Sequence, residues 1–190
     1  MDRNRFENET FRDIDLSKHA IGPVEYEKCT FLHCDLSAAD LSNAKFLECA
    51  FMNCDLSNAK TAKTVLRDLE FKECKLLGIH FDQCNAFLLS MNLDQCKADF
   101  ASFCKLTLRK TRFRNSSFQE ADFTGADLTG SSFDHCDLTR ATFAGSILEK
   151  VDFRTAYNFS IDPERNRLRK AKFSIAGLPG LVQKYDIEIE

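Results

Sequence analysis

Nine cysteines and four histidines are the side chains in this 190-residue chain best suited to hold a metal or to act as nucleophile and base. Cys29/Cys34 and Cys49/Cys54 suggest metal pairs, but four residues separate the members of each pair, whereas zinc sites favour a gap of about two. Eight cysteines (Cys29, Cys34, Cys49, Cys54, Cys74, Cys84, Cys96 and Cys136) share one slot of a repeat, and Cys104 is the exception. Free cysteine is a favoured small buried residue, so the expectation is nine free thiols, no metal and no cofactor. His19, His33, His80 and His135 are scattered, and none stands with a nucleophile and a carboxylate as acid–base catalysis requires. No glycine-rich phosphate loop is present. The chain is therefore expected not to be an enzyme.

The elements that position these residues follow an unusual beat. From Phe6, steps of five give Phe11, Leu16, Ile21, Tyr26, Phe31 and so on to Phe81, broken only by Thr61. The phase slips by two residues around 82–87 and is read to resume at Leu88, continuing through Leu93, Ala98 and Phe103 to Phe153. Two residues before most of the large residues stands a small or modest one, such as Cys34 and Ala39 before the slip and Ala121 after it, with Ala86 read as the first after the slip. A helix repeats every 3.6 residues and a strand every 2. Five residues on a helix advance about 500°, which scatters the apolar positions around the axis. The beat suits a coil in which each five-residue unit is one short side followed by a corner, with the large and small residues facing inward.

Composition is consistent with this. Eighteen Phe are accompanied by only 7 Gly and 3 Pro, so the corners are expected to be held by Asn, Asp and Ser side chains. Apolar residues make up 44% and charged residues 29% of the chain, which excludes a collagen-like or disordered polymer. No apolar run approaches the roughly 18 residues of a spanning helix. The thiol content and the polar N-terminus point to a reducing, cytoplasmic setting. A net charge of −3 is mild, and direct nucleic-acid or membrane binding is not expected.

Ala39-Asp-Leu-Ser-Asn and Ala126-Asp-Leu-Thr-Gly resemble the pentapeptide-repeat family, over about residues 6–156. The resemblance implies an all-β fold, a right-handed quadrilateral β-helix of about 7–8 coils with a short C-terminal capping helix. It divides the chain into a β-helix over 1–156, with the slip near 82–87, and a segment over 157–190. That segment would hold a loop, a last repeat pair (Leu168 and Phe173) and a dimerisation or capping helix. Its Asn-Phe-Ser-Ile-Asp, Arg-Lys-Ala-Lys-Phe-Ser and Tyr-Asp-Ile-Glu-Ile-Glu stretches are similar to the tails of albicidin-resistance and Qnr-type members. Those proteins bind DNA gyrase and topoisomerase IV, relieve topoisomerase poisons, and form tail-to-tail dimers held to imitate duplex DNA. Many Qnr-type members carry projecting loops, whereas a two-residue slip can kink the rod but cannot project a loop.

On a four-sided coil, residues 20 apart stack, which places Asp15, Asp35 and Asp55 in one column with Asp137 on the same face. Partner-binding candidates are Asp35, Asp55, Asp122, Asp127, Asp137 and Asp152; the competing reading is that each aspartate simply holds its corner. Lys75 and Lys97 interrupt the column. Arg165, Arg167, Arg169, Lys170 and Lys172 form a basic cluster in the tail. Leu178, Leu181, Val182 and Tyr185 follow helical spacing and, with Ile187, are the dimerisation or cap candidates. The functional expectation is a DNA-mimic-type topoisomerase-binding protein that confers resistance or immunity. The alternative is a repeat scaffold for a different protein.

Overall fold

In the computed structural model, which describes residues 4–188, almost every fifth residue turns a corner and the chain winds into a four-sided parallel solenoid. The first face carries strands β1 (Arg5–Glu7), β3 (Glu25–Glu27), β5 (Lys45–Leu47) and β7 (Val65–Arg67), paired in that order. The second face carries β2 (Thr10–Arg12), β4 (Thr30–Leu32), β6 (Ala50–Met52), β8 (Leu69–Lys72), β9 (Met91–Asp94), β10 (Arg112–Arg114) and β11 (Ser132–Asp134) as one seven-stranded sheet. The third and fourth faces are held by single parallel bridges, such as Asp35 with Asp55 and Ser102 with Asp122. Pairing joins residues 20 apart, as in Phe31 with Phe51, except across the slip, where Phe71 meets Leu93.

The interior is built from the large–small beat. Phe31, Phe46, Phe51, Phe103, Phe113, Phe123 and Phe133 are all 1% exposed or less. Rings on one face stack over each other, with centroids 4.7 Å apart for Phe31–Phe51 and 4.8 Å for Phe103–Phe123. Rings on neighbouring faces meet edge-on, as do Phe46 and Phe51 at 63°. Stacking by the coil pitch and edge-on contact across the core both match the ring quadrupole, and each such pair adds about 0.5–1.5 kcal/mol beyond burial. Thr61, the break in the column, is buried and donates its hydroxyl to His80 O.

The corners use a device that composition conceals. Asn8, His33, Glu48, Lys63, Phe100 and Lys110 all have φ between 48° and 64°, a left-handed conformation that costs an ordinary side chain about 1–2 kcal/mol. The return is a ladder: His33 N donates to Met52 O at 3.0 Å and Phe100 N to Gln119 O at 2.8 Å. No β-branched residue occupies a positive-φ corner among the described residues, as expected from the steric clash such side chains suffer there.

At the slip the structure differs from the sequence expectation. Ala86 is exposed and Leu88 is a corner tip at φ 59°, 56% exposed. Leu89, 8% exposed, takes the inward place instead, followed by Met91 and Leu93. Asn85 accepts the Phe87 amide at 2.9 Å and turns the chain early, so the two extra residues form a tight bulge tipped by Phe87 and Leu88. No helix among the described residues is long and apolar enough to cross a membrane.

Candidate functional site

The third face carries a ladder of outward residues: Asp15, Asp35, Asp55, Lys75, Lys97, Ser117, Asp137 and Tyr157, each bridged to the next. Three of the sequence candidates, Asp35, Asp55 and Asp137, therefore share a wall. The other three do not join them. Asp122 lies on the fourth face between Ser102 and Thr142, Asp127 on the first between Thr107 and Ile147, and Asp152 on the second between Ser132 and Lys172.

All six aspartates hold corners. Each accepts the backbone amide two residues on, from Ser37 (2.9 Å), Ser57 (3.0 Å), Thr124 (2.8 Å), Thr129 (3.0 Å), Thr139 (3.1 Å) and Arg154 (3.2 Å). This is the side-chain turn that stands in for glycine and proline. The same bonds set the ionisation of several. At Asp55 partial burial, which favours the neutral acid, is outweighed by Ser57 and Lys75, and the carboxyl titrates below its ordinary range. Asp137 is likewise lowered, with burial overcome by Thr139, Asn158 and Gln119. Asp127 is clamped by Arg109 at 2.7 Å and Asp152 by Arg154 at 2.7 Å, so neither presents a free charge. The wall of negative charge is thus narrower than the sequence candidates imply, and Lys75, 3.3 Å from Asp55, interrupts it.

Five of the nine cysteines, Cys34, Cys54, Cys74, Cys96 and Cys136, line the inside of the same wall. Cys34, Cys54, Cys74 and Cys96 donate their thiols to the carbonyls of Phe11, Phe31, Phe51 and Phe71 at 3.3–3.5 Å. Burial pushes Cys84 and Cys136 up to about 12. All nine cysteines are free, and all but Cys104 are buried. Among the described residues, no group of three or more His, Cys, Asp or Glu side chains converges as a metal site.

The C-terminal end is built in two layers. Leu168 and Phe173 extend the coil, with Phe173 stacked on Phe153 at 5.3 Å. Residues 163–165 form a turn. A single helical turn, α1 (Pro179–Val182), flanked by tighter turns, then folds over Phe159. Glycine is required at 180, where a Cβ would lie 2.4 Å from Phe159 O. Leu181 packs against the core, while Leu178 (48% exposed), Tyr185 (52%) and Ile187 (57%) face solvent. Lys184 Nζ ties the tail to the loop through Asp162 and Glu164, both at 2.7 Å, and the Tyr185 hydroxyl donates to Glu164 at 2.8 Å.

A surface feature that the sequence reading missed is basic. The cluster in 165–172 is continued by Lys110, Arg112 and Lys150 on the edge between the first and second faces, because the coil brings together residues 20 apart. The signal was available: it lies in the twenty-residue spacing rather than in any local run.

No curated protein sequence matches the chain. Among solved structures, the fold is similar to QnrB1, a plasmid-mediated fluoroquinolone resistance protein. One trypsin-treated point variant of it is 18% identical, with 98% of this chain and 100% of that one covered and a TM-score of 0.66. A second trypsin-treated variant is 22% identical, with 100% and 95% covered and a TM-score of 0.64. The full-length protein gives 19%, 96% and 100%, and 0.63. Residues 24–87 match the pentapeptide repeat region family, and residues 91–125, 99–134 and 116–154 match pentapeptide repeats in eight copies. With both stretches falling on the coils, the chain belongs to the pentapeptide-repeat family.

Proposed function

We propose that this chain is a non-enzymatic binding protein that engages a type II topoisomerase, DNA gyrase or topoisomerase IV, in the cytoplasm and relieves a topoisomerase poison. It acts as a homodimer joined at the C-terminal ends, through Leu178, Tyr185 and Ile187. The observation that carries the reading is that its likeness to QnrB1 runs end to end, tail included. The corner-braced walls provide rigid surfaces rather than a closing cleft, which suits recognition of a macromolecule.

The charge arithmetic limits how DNA-like the third face is. Its aspartates recur about every 4.8 Å of rod, whereas each DNA strand presents one charge per about 3.4 Å. Lys75 and Lys97 dilute the ladder further. Rod shape therefore contributes more to the imitation than charge does, and complementarity of charge acts chiefly on association rate and specificity.

The test is gyrase supercoiling in the presence of albicidin, a fluoroquinolone or a microcin. Added protein is expected to restore supercoiling under at least one poison at low concentration and to inhibit only in excess. The triple variant Asp35→Asn, Asp55→Asn, Asp137→Asn keeps the turn acceptor and removes the charge; it is expected to bind gyrase with weaker salt dependence. No effect on gyrase under any of the three would remove the topoisomerase reading and leave a scaffold for another protein.

A further inference from the structure

The edge between the first and second faces changes sign along its length. Before the bulge, its tips and the outward residues that follow them on the second face set Glu48, Asp68 and Glu70 against one base, Lys28. After the bulge, the same positions set Lys110, Arg112, Lys150, Lys170 and Lys172 against one acid, Asp152, which Arg154 already holds. The changeover falls at Phe87 and Leu88, 75% and 56% exposed. A groove beside them has Asp68 and Glu70 on one side and Lys110 on the other. Among the described residues, Glu48, Glu70, Lys110, Arg112, Lys150 and Lys170 enter no ion pair within the chain, and Asp68 reaches only Arg67, at 4.0 Å.

We propose that this edge binds a second copy of the chain, side by side and antiparallel, about a twofold axis at the bulge. Such an axis exchanges coils at equal distances before and after the bulge. Asp68 and Glu70 then face Lys110 and Arg112 of the second copy. Glu48 faces Gly130 and Ser132 of the second copy, small residues that leave it room, with the Lys110 and Lys150 tips one coil of about 4.8 Å to either side. Phe87 and Leu88 meet their own counterparts on the axis, which gives the apolar centre and charged rim of a protein interface. The pairing also brings Arg67 opposite Arg109, each occupied by a carboxylate of its own chain, Asp68 and Asp127. Lys28 and Lys150 come opposite each other at the rim, where solvent and salt screen them. Charge selects both the direction and the occupant. A parallel copy in register would set acid on acid and lysine on lysine. A foreign acidic segment would satisfy one half of the edge and be repelled by the other, as would a basic one. A second copy supplies the complementary order of charges by symmetry, as an isologous contact requires. The edge lies apart from the Asp35 wall, and the pairing does not rest on the topoisomerase reading.

The experiment is sedimentation equilibrium of the full chain and of charge-exchanged variants. One variant is Asp68→Lys, Glu70→Lys; the other is Lys110→Asp, Arg112→Glu. Lysine and aspartate both occupy left-handed tips elsewhere, at Lys63 and Asp13, so the corners are kept. In either variant the four charges nearest the axis share one sign, and self-association is expected to weaken roughly tenfold or more. A chain carrying all four exchanges regains the association of the original chain. Raising salt from about 50 to about 500 mM weakens that association as the screening length shrinks. Phe87→Asp, at an exposed side chain, leaves the melting temperature unchanged and weakens association. A tail-to-tail contact is common to every sample and cancels from the comparison. Absence of salt-sensitive association in the original chain overturns the proposal. So does a four-exchange chain as weak as its parents, association unaffected by Phe87→Asp, or tighter binding of a poly-glutamate peptide than of a second copy.

Discussion

Phe81 and Phe103 lie face to face, with centroids 5.0 Å apart and 19° between ring planes, although the chain between them runs two residues longer than an ordinary turn of the coil. The fourth-face stack therefore passes the irregularity intact and continues to Phe123 and Phe143. Phe103→Ala is expected to cost about 3–5 kcal/mol, the usual range for a buried phenylalanine. Phe11→Ala, in the first coil and only partly buried, is expected to cost clearly less. Urea unfolding of the two variants checks the order, and equal losses would contradict a continuous central stack.

The bulge gives a sharper contrast between neighbours. Leu89→Ala removes a buried side chain and is expected to lower stability by about 2–5 kcal/mol. Leu88→Ala touches an exposed corner tip and is expected to stay within about 0.5 kcal/mol. The reverse order in thermal unfolding would restore Leu88 to the core.

At the C-terminal end, the cap contacts are separable from those of the proposed dimer. Gly180→Ala places a methyl against Phe159 and is expected to destabilise the cap by about 1–3 kcal/mol, seen as faster proteolysis of the tail. Leu181→Asp acts similarly by burying a carboxylate. Leu178→Asp is expected to leave the melting temperature unchanged while converting dimers to monomers in sedimentation. A Leu178→Asp protein that remains dimeric would place the subunit contact elsewhere.

Buried thiols set an alkaline limit. Cys49 is pushed up to about 11, Cys84 and Cys136 to about 12, chiefly by burial, from an ordinary value of 9.0. The folded state thus keeps protons that the unfolded chain releases, so stability is complete below about pH 9 and declines as pH rises toward 11–12. Each thiol contributes a slope of about 1.4 kcal/mol per pH unit in that window. Melting temperatures between about pH 8 and 11 should fall, and Cys84→Ala with Cys136→Ala should flatten the fall. A wild-type curve level across the window would show the thiols to be ionised or solvated in the folded state.

Much of this architecture is legible in residue order because one rule, a large residue every fifth position, governs packing on every wall. The rule predicts the buried place of Phe31 or Phe123 without reference to neighbours. It fails at Leu88, where a turn begun by Asn85 overrides the hydrophobic count, because burial there depends on where the corner falls rather than on which residue is apolar. The left-handed tips escape composition too: Lys63, Glu48 and Phe100 carry no glycine-like signature, and their strain is met by hydrogen bonds to the next coil. For the surface, Asp35, Asp55 and Asp137 are readable as one wall once four sides are granted. Asp122, Asp127 and Asp152 share their local motif and yet face three other directions, since a motif specifies a corner and only its count along the chain specifies which corner.

Four sides per turn also gear length and direction separately. Twenty added residues would lengthen the rod by about 4.8 Å and leave the far end at the same azimuth; five would swing everything downstream through a quarter-turn. The separation between the Asp35 wall and the Leu178 end can therefore drift over generations in whole-turn increments while their mutual bearing stays locked. Relatives of unequal length can in this way present matching flanks to a common target.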